Sequence, residues 1–186
     1  MTSTIATFRS RAMLGATFAL CLGAGLASAP AFAVGGGGSN DTATCPKGYV
    51  LDKKKNVCLK AASGVLPDDA LTDYAYALAK ANRYQEALDV LDLLANSDTP
   101  KALNYRGYAT RMLGRVDEGI GYYLKSVALD PNYAQVREYL GEAYVAKGDV
   151  DLAKAQLQLI EKLCGTTCEE YQDLKEAIEA SGADDI

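Results

Sequence analysis

Histidine is absent from this 186-residue sequence, and with it goes the side chain that most often serves as general base or metal ligand near neutral pH. No serine sits in a Gly-x-Ser-x-Gly elbow, so the nucleophile of that hydrolase turn is missing. The glycine run at 35–38 has neither the lysine nor the following helix of a phosphate-binding loop, and it reads as linker. The acidic pairs Asp68-Asp69 and Asp184-Asp185 fit a helix start and a tail better than catalytic carboxylates. Basic residues are in deficit, with 19 Lys and Arg against 24 Asp and Glu and a net charge of -5. That balance argues against nucleic acid as a partner and leaves no general basic surface for anionic lipid. The expectation is a protein that is not an enzyme and needs no cofactor and no metal.

Long apolar runs are missing too. The stretch from Ala12 to about Leu26 falls short of the ~20 residues of a membrane-spanning helix. Arg9 and Arg11 precede it without an acid, and Ala31-Phe32-Ala33 follows it. A basic start, a short apolar stretch and A-x-A spacing predict a cleaved secretory signal over residues 1–33. The expected mature protein has no membrane span and is periplasmic or secreted. Loss of Arg9 and Arg11 would leave it two charges more acidic than -5. Residues 34–44, opening on VGGGGSN, hold too little apolar surface to fold and read as a flexible glycine-rich linker.

Cys21 departs with the signal, leaving Cys45, Cys58, Cys164 and Cys168, an even number in a compartment where disulfides persist. Three pairings are possible. The local ones, Cys45 with Cys58 and Cys164 with Cys168, are favoured because each loop has its own turn chemistry. Each ring would restrict the unfolded chain by roughly 2 to 3 kcal/mol. The 12-residue and 3-residue gaps do not match the paired knuckles of a four-cysteine zinc site. Residues 45–64 then read as a disulfide-closed β-hairpin, with Tyr49, Val50 and Leu51 on one arm and Val57 and Leu59 on the other. Lys53, Lys54 and Lys55 at its tip are expected to be solvated. The Cys164-Gly-Thr-Thr-Cys168 stretch raises thiol-disulfide exchange as an alternative. It is one residue longer than Cys-x-x-Cys and follows a helix, so a structural staple is the expectation.

From residue 65 the chain repeats with a period of 32 to 34 residues. Ala75, Gly107 and Gly141 share one small position, and Ala87, Gly119 and Ala153 share a second, each 12 residues later. Leu91, Tyr123 and Leu157 follow four residues on. Between the small positions lie the polar turns ANRYQE, LGRVDE and KGDVDL. Each unit is therefore predicted to be a helix, a tight turn and a second helix, with small residues where the pair crosses. Thr99-Pro100 supplies an N-cap and a first-turn proline, and Asp130-Pro131-Asn132 stops one helix before the next. After Cys168, Tyr171, Leu174 and Ile178 fall on one helical face, as expected of a helix that covers the last unit. Thr167 and Glu170 are spaced as a capping box at its start.

The stretches LTDYAYALAKANRYQEALDVLDLL, YRGYATRMLGRVDEGIGYYLKSVALDPN and YLGEAYVAKGDVDLAKAQLQLIEKL resemble the tetratricopeptide repeat (TPR) family. The usual first-helix tryptophan is replaced by Leu71, Leu103 and Arg137, and the chain has no tryptophan. Arg106 and Thr110 stand where the family prefers apolar residues. The resemblance implies an all-α helix-turn-helix solenoid of about three repeats over residues 65–165. A capping helix and acidic tail would follow over 166–186, with the hairpin before the repeats. Three units is about the minimum that buries a continuous core.

The resemblance also implies an exported scaffold that binds a protein or peptide partner in the concave face of the first helices. Its groove positions here are Thr72, Tyr76 and Lys80, then Lys101, Asn104, Tyr108 and Arg111, then Glu138 and Glu142. Tyr76 and Tyr108 offer aromatic contacts, Lys101 and Arg111 suit an acidic segment, and Glu142 tilts its end toward basic groups. The family's carboxylate clamp is not reproduced, since Gln135 and Tyr139 stand where basic residues would be. The alternative is a structural component of an envelope assembly that self-associates through its repeats.

Overall fold

The computed structural model describes residues 44–182. The expected signal, almost all of the linker and the tail beyond residue 182 lie outside the described residues. Two strands, β1 (Tyr49–Asp52) and β2 (Val57–Lys60), precede seven helices in the described residues. These are α1 (Asp68–Lys80), α2 (Tyr84–Leu91), α3 (Pro100–Met112), α4 (Val116–Leu129), α5 (Ala134–Lys147), α6 (Val150–Cys164) and α7 (Glu169–Ala180). The pairs α1/α2, α3/α4 and α5/α6 are the three helical hairpins, and α7 packs on α5 and α6.

β1 and β2 pair antiparallel with Leu51 opposite Cys58. The turn is fixed by Asp52, whose Oδ1 accepts the amides of Lys54 and Lys55 at 3.0 and 3.2 Å. The Cys45–Cys58 disulfide closes the loop. Val50 and Leu51 are buried with Leu71, Tyr74 and Leu78 in one cluster, so this strand pair covers the open end of the first unit. Polar groups fasten it there. The Cys45 amide donates to Tyr74 Oη at 2.7 Å, and Arg83 Nη1 donates to the Cys45 carbonyl at 2.7 Å while its fork grips Glu86.

Each helical hairpin turns through one left-handed residue seven positions after its first small residue. These are Asn82 (φ 60°), Gly114 (φ 85°) and Gly148 (φ 81°). The amide that follows donates five residues back, from Arg83 to Leu78, Arg115 to Thr110 and Asp149 to Tyr144, and so satisfies a carbonyl that the helix end would leave bare. Thr99 Oγ1 accepts the Ala102 amide at 3.2 Å, with Pro100 in the first turn of α3.

The small residues are used in two ways. In the central unit a Cβ on Gly107 would sit 2.6 Å from Tyr123 Cε1 and 3.1 Å from the Gly119 carbonyl, and a Cβ on Gly119 would sit 2.9 Å from the Gly107 carbonyl. Here α3 and α4 touch backbone to backbone. Gly141 differs from the sequence expectation of a crossing with its own partner helix. A Cβ there would meet Leu174 of α7, 2.6 Å from its Cδ1, so Gly141 seats the capping helix.

The expected capping box is also corrected. Cys168, not Thr167, is the N-cap of α7, with no side-chain cap bond. The bond to Cys164 holds Cys168 at the junction, and α7 begins one residue later than the Thr167–Glu170 spacing requires. Leu174 and Ile178 are buried as expected, with Tyr171 packed beside them. The tryptophan positions are filled by Leu71, Leu103 and Arg137, all buried. Arg137 donates through Nε and Nη2 to the Pro131 carbonyl at 2.9 and 2.6 Å. Arg106 lies against Asp92 at 2.8 Å, so this polar substitution sits at the surface of the pair.

Replacing Gly107 by leucine should cost about 3 kcal/mol or more, at the upper end for an overpacked core. Gly121 is the control, since nothing lies within 4 Å of a Cβ placed there, and Gly121→Ala should stabilise by roughly 0.5 to 1 kcal/mol. Urea unfolding of both variants checks the pair; a parent-like midpoint for the leucine variant would contradict the crossing. Peptide mapping of unreduced protein should return Cys45 linked to Cys58 and Cys164 linked to Cys168.

Candidate functional site

The 32-residue offset between the first two units puts Tyr76 of α1 and Tyr108 of α3 at equivalent places. The structure builds an aromatic ladder from them. Tyr76 stacks on Tyr105 with ring centroids 4.3 Å apart, meets Tyr108 edge-on at 6.5 Å, and Tyr108 meets Tyr139 of α5 at 5.1 Å. The Tyr76 and Tyr139 hydroxyls lie 3.2 Å apart. Aromatic pairs at these separations add about 0.5 to 1.5 kcal/mol each beyond their buried area. The ladder thus ties the first helices of all three units together. Burial pushes the hydroxyls of Tyr105, Tyr108 and Tyr139 up, that of Tyr105 to about 12, so these three stay protonated donors at physiological pH.

The ladder floors a cavity of about 460 Å³. Tyr76 and Lys80 of α1 line it, with Tyr108, Arg111 and the exposed Met112 of α3. Gln135, Glu138, Tyr139 and Glu142 of α5 continue the wall. Glu169, Glu170, Asp173 and Ala177 of α7 close the far side. Glu169, Asp173 and Ala177 recur every four residues and form a single helical stripe.

Six of the groove residues expected from sequence, Tyr76, Lys80, Tyr108, Arg111, Glu138 and Glu142, come together here. Arg111 is bound within the protein: Nη2 meets Glu142 Oε2 at 2.5 Å, Nε lies 3.4 Å from Tyr123 Oη, and the guanidinium sits 5.7 Å from the Tyr108 ring. Lys101 lies outside the lining and pairs with Asp73 at 2.5 Å. Asn104 is fully buried, and its Nδ2 donates to Tyr133 Oη and Gln135 Oε1, both at 3.2 Å. Thr72 is buried and donates to the Asp68 carbonyl. Sequence reasoning missed the α7 acids as part of the wall. The stripe at 169, 173 and 177 beside the buried face of Leu174 and Ile178 carried the signal.

Glu138 dominates the electrostatics. Burial first, then the charges of Glu142, Asp173, Glu170 and Glu169, push its carboxyl up to about 8. Among the described residues, Cys164, Cys168 and Glu170 place possible metal-ligating atoms within 4.8 Å of one another. Both sulfurs are in the disulfide, so neither is a thiolate ligand. No helix among the described residues is long and apolar enough to cross a membrane.

Neither a protein-family model nor any curated protein matches the chain. Solved structures do. The crystal structure of MamA is similar at a TM-score of 0.52 with 20% identity, covering 62% of this chain and 68% of that one. The NMR structure of the first TPR domain of human RPAP3 gives 0.51 with 18% identity, covering 62% and 95%. SycD, the type III secretion chaperone of Yersinia enterocolitica in complex with a peptide of the translocator YopD, gives 0.53 with 17% identity, covering 67% and 100%. The fold is TPR-like.

Because the folded carboxyl of Glu138 titrates near 8 and an ordinary one near 4.5, the folded state holds a proton that the unfolded chain releases between those values. Its contribution to stability falls as pH rises through that window. Glu138→Gln removes this dependence. Thermal melts should show the parent losing several degrees relative to the variant between pH 5 and pH 8.5; parallel curves would contradict the burial of an unpaired carboxyl.

Proposed function

We propose that the protein is an exported interaction scaffold that holds a polypeptide segment in the cavity floored by Tyr76, Tyr108 and Tyr139. The observation that carries this reading is a concave, half-buried aromatic floor left open between α1, α3, α5 and α7. Tyrosines that present ring faces and hydroxyls together suit peptide side chains and backbone alike. SycD, a neighbour in fold, is seen with a YopD peptide, and only the class of ligand is carried over from it. The missing histidine supports a role without catalysis, and the basic start and A-x-A site support export to the periplasm or medium.

A second reading, self-association, draws support from Leu152, Leu159 and Leu163, which are exposed along α6 at spacings that share one helical face. Sedimentation across a concentration series separates the two, since a self-assembling component does not stay monomeric.

A random-peptide display selection on the purified protein tests the first reading. Selected peptides should lose at least tenfold in affinity with Ala146→Trp, a plug at an exposed lining position of α5. They should be indifferent to Leu152→Lys on α6. A selection without binders, or binders insensitive to the plug, would sink the reading.

A further inference from the structure

The cavity carries an ionisable group that the fold leaves unanswered. Glu138 is only 6% exposed, yet among the described residues no hydrogen bond or ion pair engages its carboxylate. Among those residues the sealed side-chain oxygen without a partner is Asn104 Oδ1, so the Glu138 oxygens reach the cavity they line. A buried, unpaired carboxylate is costly unless a cation meets it.

The groups around it are predominantly acidic. On its own helix stands Glu142, held by Arg111 of α3 at 2.5 Å. From α7 come Glu169, Glu170 and Asp173. Tyr108 of α3 contributes a neutral ring, and Lys80 of α1 is the remaining cation of the lining, 6.0 Å from the Tyr76 ring. With Arg111 and Glu142 cancelling, four carboxylates face one lysine.

We propose that this wall is an anchor site for an arginine or lysine side chain of the bound polypeptide, with Glu138 as the carboxylate it meets and the Tyr108 and Tyr139 rings as the surface for its aliphatic stem. The proposal rests on the peptide-binding reading above and adds the chemistry of the partner. A guanidinium or ammonium brings donors to the carboxylate, and its methylenes cover aromatic surface. The linker stretch 34–44 contains no lysine or arginine, and the acidic lining complements a basic segment of another protein, the occupant to which the proposal commits. A cation at Glu138 stabilises its ionised form, so binding near pH 7 expels a proton and strengthens as pH rises from 6 to 8.5.

The test uses acetylated, amidated nonapeptide pools with a fixed central residue, Arg, Lys, Gln, Leu or Glu, titrated by fluorescence anisotropy at pH 6 and 8.5. The Arg and Lys pools should bind at least tenfold tighter than the Gln pool at pH 8.5, with a smaller advantage at pH 6. Glu138→Gln should cut that preference below threefold. Asp173→Asn, at an exposed position of α7, guards against a folding failure of the first variant and should weaken the Arg pool by about threefold. Neutral pools that bind as well as basic ones, or a preference untouched in both variants, would overturn the anchor while leaving the peptide groove standing. Absence of binding by every pool would overturn both. A synthetic peptide of residues 5–14, which carries Arg9 and Arg11, binding tighter than the Arg pool would overturn the external partner in favour of self-occupancy.

Discussion

The central helical hairpin depends on two glycines that let backbones meet. With hydrogen at Gly107 and Gly119, α3 and α4 close until a Cβ on either would strike the other's carbonyl. Tyr123 packs into the space beside Gly107, and Ser126 ties α4 to the Pro100 carbonyl at 2.7 Å. The buried Tyr123 hydroxyl lies against Arg111, and Arg111 in turn holds Glu142. A packing constraint inside one unit therefore sets the position of charged groups in the cavity of the next.

A stack of three hairpins exposes an apolar surface at each end, and two different devices cover those ends. At the first, Val50 and Leu51 of the strand pair are buried against α1, with the disulfide holding the pair closed. At the other, Leu174 and Ile178 of α7 bury against α6, and Gly141 makes room for Leu174. The capping helix has a second consequence. Its adjacent stripe of Glu169, Asp173 and Ala177 lines the cavity, so the element that ends the solenoid also sets the charge of its groove.

The architecture was legible because it is written in backbone demands. Left-handed turns need Asn82, Gly114 or Gly148, and close crossings need Gly107 and Gly119, so spacing alone revealed three hairpins. The strand pair and both cysteine pairings were legible from local turn chemistry. The partner of Gly141 was not, because a small residue announces a close approach without naming what approaches. The site was legible in part for a similar reason. Periodicity brings Tyr76 and Tyr108 to one face, but the burial of Asn104 and the pairing of Lys101 with Asp73 depend on contacts about thirty residues away in sequence.

The resulting groove is aromatic at its floor and acidic along α5 and α7. Its two lining cations are unequal, since Arg111 is consumed by internal contacts while Lys80 stays exposed at the rim. On the proposed reading, this asymmetry would give a bound chain a direction as well as a place. The most direct measurement is a backbone amide shift map of labelled protein titrated with a nonapeptide carrying a central arginine. The account predicts perturbations grouped on the facing surfaces of α1, α3, α5 and α7 around Tyr108 and Glu138, with α2, α4 and the outer face of α6 unchanged. Shifts grouped on the exposed leucines of α6 or on the lysine tip of the strand pair would contradict it.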